Sequence, residues 1–366
     1  MSPAFRNAID ITVCLAGRTI ADVAILPRSR PPVIRLFAGK PASSLSSVLP
    51  RLFSLCSVAH QVAYLSAVEA ARGEGVAADT MQRRVTAIIA ERFVELLRGL
   101  FVGQIAFDGT SAAAVRAVMQ AATVLAGVAF NGTRRIARRE AVSQIKSALS
   151  ALGIISEDQS PAPGSPLAAH LANCDGQALS LSAAEQSFLS AADDLDVVVP
   201  LLTEGASFSD APELHGRIPE TGVWARRAGR EPILPLTAGP AERLKARIAE
   251  VAGLFAWIDD GEGEFDFEGC AIASYGLGAR RGAAAVECAR GRLYHTVELD
   301  DDDRIVRFEY LPPTEWNFCA RGPLVRSLKG SLLAAGPRGQ DAVRLLIGSF
   351  DPCVGFNLTF RAIRHA

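Results

Sequence analysis

Two stretches near opposite ends of the chain limit how it can fold. Arg51-Leu52-Phe53-Ser54-Leu55-Cys56-Ser57-Val58-Ala59-His60 carries one cysteine, and Ser349-Phe350-Asp351-Pro352-Cys353-Val354-Gly355-Phe356 carries another. In each, a phenylalanine stands three residues from the cysteine, where a second thiol would complete a C-x-x-C pair. Both settings suit a thiolate ligand to a metal. A shared site then needs a fold that brings Cys56 and Cys353, nearly three hundred positions apart, into one interior. A chain of 366 residues is long enough to bury such a core and to hold two or three subdomains.

Charge narrows the functional classes. Lys plus Arg (38) nearly balance Asp plus Glu (39), and a net charge of −1 gives no electrostatic basis for nucleic acid or an anionic membrane surface. Hydrophobic residues make up 49% of the chain and mean hydropathy is +0.21, as expected of a well-covered globular protein. The stretch Ser111 to Phe130 is apolar but contains Arg116 and Gln120, which predicts a buried helix and no membrane span. MSPAFRNAIDITV lacks the basic and apolar regions of a signal peptide. The cysteines (Cys14, Cys56, Cys174, Cys270, Cys288, Cys319 and Cys353) are odd in number and scattered, so a reducing cytoplasm with free thiols is expected.

Periodicity predicts a small N-terminal β region over 1–40. Ile9, Ile11, Val13 and Leu15 alternate in one run, Ala21, Val23 and Ile25 in a second, and Val33 to Phe37 form a third. A helical region follows over 41–155. In it Ser46 to Glu69 would place Cys56 and His60, four apart, on one helical face. Asp79 to Leu100 is the clearest amphipathic helix, with Asp79 and Thr80 as caps and Val85, Ile88, Ile89, Phe93, Leu96 and Leu97 along one stripe. Ser111 to Leu152 is a further helical block. The range 156–180 opens on the proline-rich SEDQSPAPGSP and reads as a linker or surface loop. A second helical region, 181–260, starts from a capping box at Ser182 and Glu185 and ends with a helix from Pro240 to Ile258. The region 261–366 contains β structure: a hairpin around a solvated turn at Asp300 to Asp303, then a helix from Gly339 to Ile347 that leads into the Cys353 loop.

Five blocks, in order, resemble the large subunit of nickel–iron hydrogenases. They are Arg51 to His60, Arg84 to Leu97, Glu220 to Arg226, Glu287 to His295 with Pro312 to Arg321 after it, and Phe350 to Phe356. The departures are specific. Phe53 and Phe356 stand where that family has two of its four metal-binding thiols, leaving Cys56 and Cys353. This combination is similar to the HupK/HoxV type of hydrogenase maturation protein. The resemblance implies an α+β, mainly helical fold like the hydrogenase large subunit, with a central helix bundle, a small N-terminal sheet and a C-terminal β-containing portion. It further implies a non-enzymatic assembly scaffold for the Fe(CN)2(CO) fragment of the hydrogenase, held transiently and without nickel. Its implied partners are Hyp-type maturation proteins and the hydrogenase large subunit.

The residue types suit that chemistry. A low-spin ferrous ion with cyanide and carbonyl ligands is soft, and thiolates match it, so Cys56 and Cys353 are the expected metal ligands. Arg290 is the expected donor to a cyanide nitrogen through its fixed fork, the alternative being an ion pair with Glu287 or another acidic side chain. His60 is expected to hydrogen-bond a ligating sulfur, against the plainer reading of a satisfied core histidine. Asp351 is expected to shape its loop by accepting backbone N–H groups, while Phe53 and Phe356 fill the space of the missing sulfurs. Cys288 and Cys319 fit packing better than ligation. Two rival functions remain open on the sequence, a divergent redox enzyme that needs nickel and a metal-free interaction module.

Overall fold

The N-terminal alternation is realised as a hairpin, and the end of the chain completes its sheet. In β1 (Ile9–Ala16) and β2 (Thr19–Leu26), Ile9, Ile11, Val13, Ile20, Val23 and Ile25 are all buried. The computed structural model describes residues 6–29, 36–101, 109–131, 135–154, 161–174, 178–231, 233–235, 237–260 and 271–363. Of the third predicted strand, 33–35 lie outside the described residues, and Leu36 and Phe37 are helical. The strand that joins β1 is instead β9 (Phe356–Ala362), running parallel to it with Ile9 opposite Phe356. Short strands β3 (Leu179–Ser180) and β8 (Leu332–Leu333) give the order β3-β8-β2-β1-β9. Leu324, Leu328, Val343, Leu346 and Ile347, from helices Pro323–Leu328 and Pro337–Ser349, cover one face.

The amphipathic helix runs from Ala78 to Phe101, one residue beyond the prediction at each end, and forms the spine of the bundle. Asp79 lies in its first turn and does not cap it. Phe93, Leu96 and Leu97 are fully buried against helices Gly109–Asn131, Arg135–Ala151 and Pro240–Asp260. Each such side chain contributes about 1.5–3 kcal/mol. The predicted 111–152 block is thus two helices. The 156–180 range holds helix Pro166–Cys174 as well as β3. Among the described residues no helix is long and apolar enough to cross a membrane.

A second, antiparallel sheet has the order β4-β5-β6-β7, with β4 Ile272–Gly276, β5 Arg281–Cys288, β6 Gly291–Leu299 and β7 Ile305–Leu311. Almost every residue of β6 is buried because helices lie on both faces. Helix Ser57–Arg72 crosses one face so closely that a Cβ on Gly282 would sit 2.2 Å from the Ala67 carbonyl oxygen. Helix Asp194–Glu204 covers the other with Val197, Val198 and Leu201. No helix starts at Ser182; the capping box closes on Ser190 and Asp193 instead, where Asp193 can also reach Arg217.

Candidate functional site

The helix predicted from Ser46 to Glu69 is broken immediately before the cysteine. Helices Ala42–Ser46 and Leu49–Leu52 end, and Cys56 stands just ahead of helix Ser57–Arg72 with φ 54° and ψ 35°. This left-handed backbone is uncommon for a residue with a side chain and marks a held conformation. What holds it is Glu91 on the bundle spine. Its carboxylate accepts Val58 N–H at 2.8 Å, Ala59 N–H at 2.9 Å and the Ser57 hydroxyl at 3.2 Å, and so caps the helix from another element. Burial pushes Glu91 up to about 7 in spite of these donors.

That shift fixes a sign. Between the ordinary value of 4.5 and about 7 the folded protein keeps a proton that the unfolded chain has released. Stability therefore falls as pH rises through this window, with a slope of at most ~1.4 kcal/mol per pH unit from this one group. Denaturation curves of the wild-type protein should fall relative to those of Glu91→Gln over the same window. Parallel pH profiles for the two proteins would refute the assignment.

Arg290 and Cys288 come from the tight turn between β5 and β6. Gly291 (φ 128°) makes that turn possible, since a Cβ there would meet Thr221 Oγ1 at 2.2 Å and Gly222 N at 2.7 Å. The Glu220 to Arg226 block grips the turn. Thr221 Oγ1 accepts Arg292 N–H at 2.9 Å, and Arg226 donates to Cys288 O at 3.2 Å and Ala289 O at 2.8 Å. Arg226 also pairs with Glu287 at 2.6 Å, so Glu287 is not the partner of Arg290.

The Cys353 loop is fixed from three directions. Asp351 has φ 53°, and helix Pro337–Ser349 ends just before it. Arg247 reaches Ser349 O at 3.2 Å and Gly99 O at 3.0 Å, tying the loop to the bundle spine. Thr314 Oγ1 donates to Cys353 Sγ at 3.1 Å and accepts Cys353 N–H at 3.3 Å.

These elements close on one cavity of about 130 Å³ lined by Phe53, Cys56, His60, Cys288, Arg290, Thr314 and Cys353, and also by Arg28. Arg290 Nη1 lies 3.5 Å from Cys56 Sγ and 3.0 Å from Glu95 Oε2, and its Nε is 3.7 Å from Asp351 Oδ2. Burial opposes the charge of Arg290, but Asp351, Cys56 and Glu95 outweigh it and hold the guanidinium protonated. The neighbouring Cys288 thiol and burial raise Cys56 well above the ordinary thiol range, and the Cys56 thiol lowers Cys288.

Three predicted roles need correction. His60 does not reach a sulfur through Nδ1, which hydrogen-bonds His295 Nε2 at 2.9 Å, and Phe53 stacks on its ring at 3.6 Å. Burial keeps both imidazoles neutral, His295 at about 3, so one donates and the other accepts. Asp351 faces the guanidinium groups of Arg290 and, at 4.0 Å, Arg247, in place of the backbone N–H partners expected from the sequence. Phe356 is not among the cavity-lining residues: as the first residue of β9 it packs with Leu358 and Phe360 against the N-terminal sheet core.

Two cavity residues carry little signal in the sequence. Cys288 has no flanking ligand-type spacing, and Arg28 sits in an unpatterned segment after β2. Arg28 Nε, Arg290 Nε and Asp351 Oδ2 are buried without a hydrogen-bond partner. Among the described residues no group of three or more His, Cys, Asp or Glu side chains is spaced to hold a metal ion.

The relatives of the chain are consistent in kind. No family model matches it. It is 66% identical, over 100% of both chains, to the hydrogenase expression/formation protein HupK of Bradyrhizobium diazoefficiens. The chain belongs to the HupK/HoxV hydrogenase expression/formation proteins. Within that family, HupK of Rhizobium leguminosarum bv. viciae is 32% identical, with 98% of this chain and 97% of that one covered. HoxV of Cupriavidus necator is 26% identical, with 89% and 90% covered. The fold is that of the nickel–iron hydrogenase large subunit. The Ni-Fe-Se hydrogenase of D. vulgaris Hildenborough matches with a TM-score of 0.61 at 14% identity over 92% of this chain and 94% of that one. An NAD+-reducing NiFe hydrogenase matches with 0.57 at 16% identity over 92% of each.

Proposed function

We propose that this member of the family is a non-catalytic carrier for the Fe(CN)2(CO) fragment, with Cys56 and Cys353 as thiolate ligands before transfer to the hydrogenase large subunit. The observation that carries the reading is the cavity itself: three cysteines and two arginines line one space in a hydrogenase expression/formation protein. A structural zinc ion takes about four protein ligands. A fragment that brings three of its own ligands needs only two. The space exceeds the ~10–15 Å³ that holds one water and falls well below the ~300 Å³ of pockets for organic cofactors.

Charge fits as well. Ferrous iron with two cyanides and a carbonyl is neutral, so two thiolates make the bound group a dianion that needs cations once buried. Arg28 and Arg290 line the cavity, each with a buried Nε that has no hydrogen-bond partner. In this reading the arginine N–H groups bind cyanide nitrogens, Glu95 and Asp351 aim the Arg290 fork, and Phe53 excludes water. Hyp-type maturation proteins deliver the fragment.

Protein isolated from cells with the assembly machinery should show infrared bands of bound cyanide and carbonyl, with about one iron and no nickel per chain. The Cys56→Ala/Cys353→Ala double variant should show neither bands nor iron. Bands of undiminished intensity in that variant would end the ligand assignment, and their absence from the wild-type protein would leave a metal-free interaction module.

A further inference from the structure

Cys288, for which the sequence favours packing over ligation, lines the same cavity as Cys56. The two residues are buried, Cys56 at 6% and Cys288 at 2% exposure. They pack in one apolar cluster with Ala59, Val62 and Leu293. As a thiol, Cys288 also donates to Gly291 O at 3.0 Å. Cys353 is different. It is only partly buried, lies on a loop, and hydrogen-bonds Thr314 at 3.1 Å.

We propose that the inner pair Cys56 and Cys288 holds the iron fragment at rest, and that Cys353 replaces Cys288 as the fragment is passed outward. This inference rests on the carrier reading and refines its ligand set in time: Cys56 with Cys288 in storage, Cys56 with Cys353 in delivery. Three observations carry it. Cys56 and Cys288 line one cavity and share one buried cluster, so a single ion there meets both. Phe356, at the position where a further thiol would complete the Cys353 pair, packs into the sheet core, and the cysteines that line the cavity are Cys56, Cys288 and Cys353. Cys353 stands outside that cluster on its own loop, where Thr314 both donates to its sulfur and accepts its N–H.

The exchange is a ligand substitution at constant oxidation state. The iron–sulfur bond to Cys288 breaks as one to Cys353 forms. The proton released by the Cys353 thiol goes to the departing Cys288 sulfur, and the iron stays ferrous throughout. Cys56 remains bound until an acceptor thiolate replaces it.

The test compares wild type, Cys288→Ser, Cys353→Ser and, as a control outside the cavity, Cys319→Ser, all isolated from cells with the assembly machinery. Infrared spectra, iron content and melting curves are recorded for each. Cys288→Ser should melt like wild type yet lose bands and iron. Cys353→Ser should keep both but fail to pass the fragment to an unloaded hydrogenase large subunit, and Cys319→Ser should behave as wild type. Loaded wild-type protein treated with iodoacetamide should be alkylated at Cys353 while its bands persist; this measurement needs no variant to fold. Wild-type bands in Cys288→Ser, or bands lost on alkylation of Cys353, overturn the inference and leave a Cys56/Cys353 carrier standing. A wild-type protein without any bands removes the carrier reading, and this inference with it.

Discussion

Glu250→Ala is expected to destabilise the protein by about 3–5 kcal/mol, because it strands buried cations. Glu250 is 2% exposed and joins two arginines. Its Oε1 accepts Arg92 Nε at 2.8 Å and Arg226 Nη2 at 2.7 Å, and its Oε2 accepts Arg226 Nε at 2.9 Å. Burial alone would raise this carboxyl, but Arg226 and Arg92 overcome it and hold it at about 2. Its contribution is therefore full above the usual carboxylate range and is lost as pH falls toward 2. The damage should extend beyond stability, since Arg226 also holds the backbone of Cys288 and Ala289. Chemical denaturation of Glu250→Ala and Glu250→Gln checks this. A loss under ~1 kcal/mol for the alanine variant would mean that the buried network adds nothing net.

Arg290→Ala should lower retention of the iron fragment by about 10–100-fold, the range seen when groups that orient and tune metal ligands are removed. Two effects combine. On the proposed carrier role the dianionic fragment would lose a cation, and Glu95, which is 4% exposed, loses its partner at 3.0 Å. Arg290→Lys separates them. A lysine keeps the charge beside Glu95 but loses the planar fork, whose Nη1 meets Cys56 and Glu95 while its Nε faces Asp351. The Arg290→Lys variant should melt near wild type while still binding less iron and showing shifted cyanide bands. Equal iron content in all three proteins would show that Arg290 is a structural ion pair and nothing more.

The legible parts of the chain are those where local pattern and final burial agree. The stripe from Val85 to Leu97 is one, because a bundle helix buries one face over many turns. The first hairpin is another. The break before Cys56 is only half legible: Pro50 interrupts the run from Ser46, but the start of the next helix depends on Glu91, thirty-odd residues away in sequence, supplying the cap. Strand β9 is hidden because its partner lies at the other end of the chain. The hydrogenase-like blocks point to Cys56, Cys353 and Arg290, which all line one cavity. They do not single out Cys288 or Arg28, whose places depend on the pressed β5–β6 turn and on the end of β2. The sequence locates His60 and Asp351 but gives them the wrong neighbours, since His295 and Arg247 come from distant elements.

Parallel pairing of β1 with β9 has a consequence for biogenesis. Strand β9 emerges from the ribosome after every other described strand, yet it is one wall of the anchor for the Cys353 loop. Contacts of such long sequence separation form late and slowly. Cys56 and its Glu91 cap can therefore be in place before the parallel seam has seated Cys353. Seating of Cys353 is coupled in this way to the joining of two strands that lie at opposite ends of the described chain.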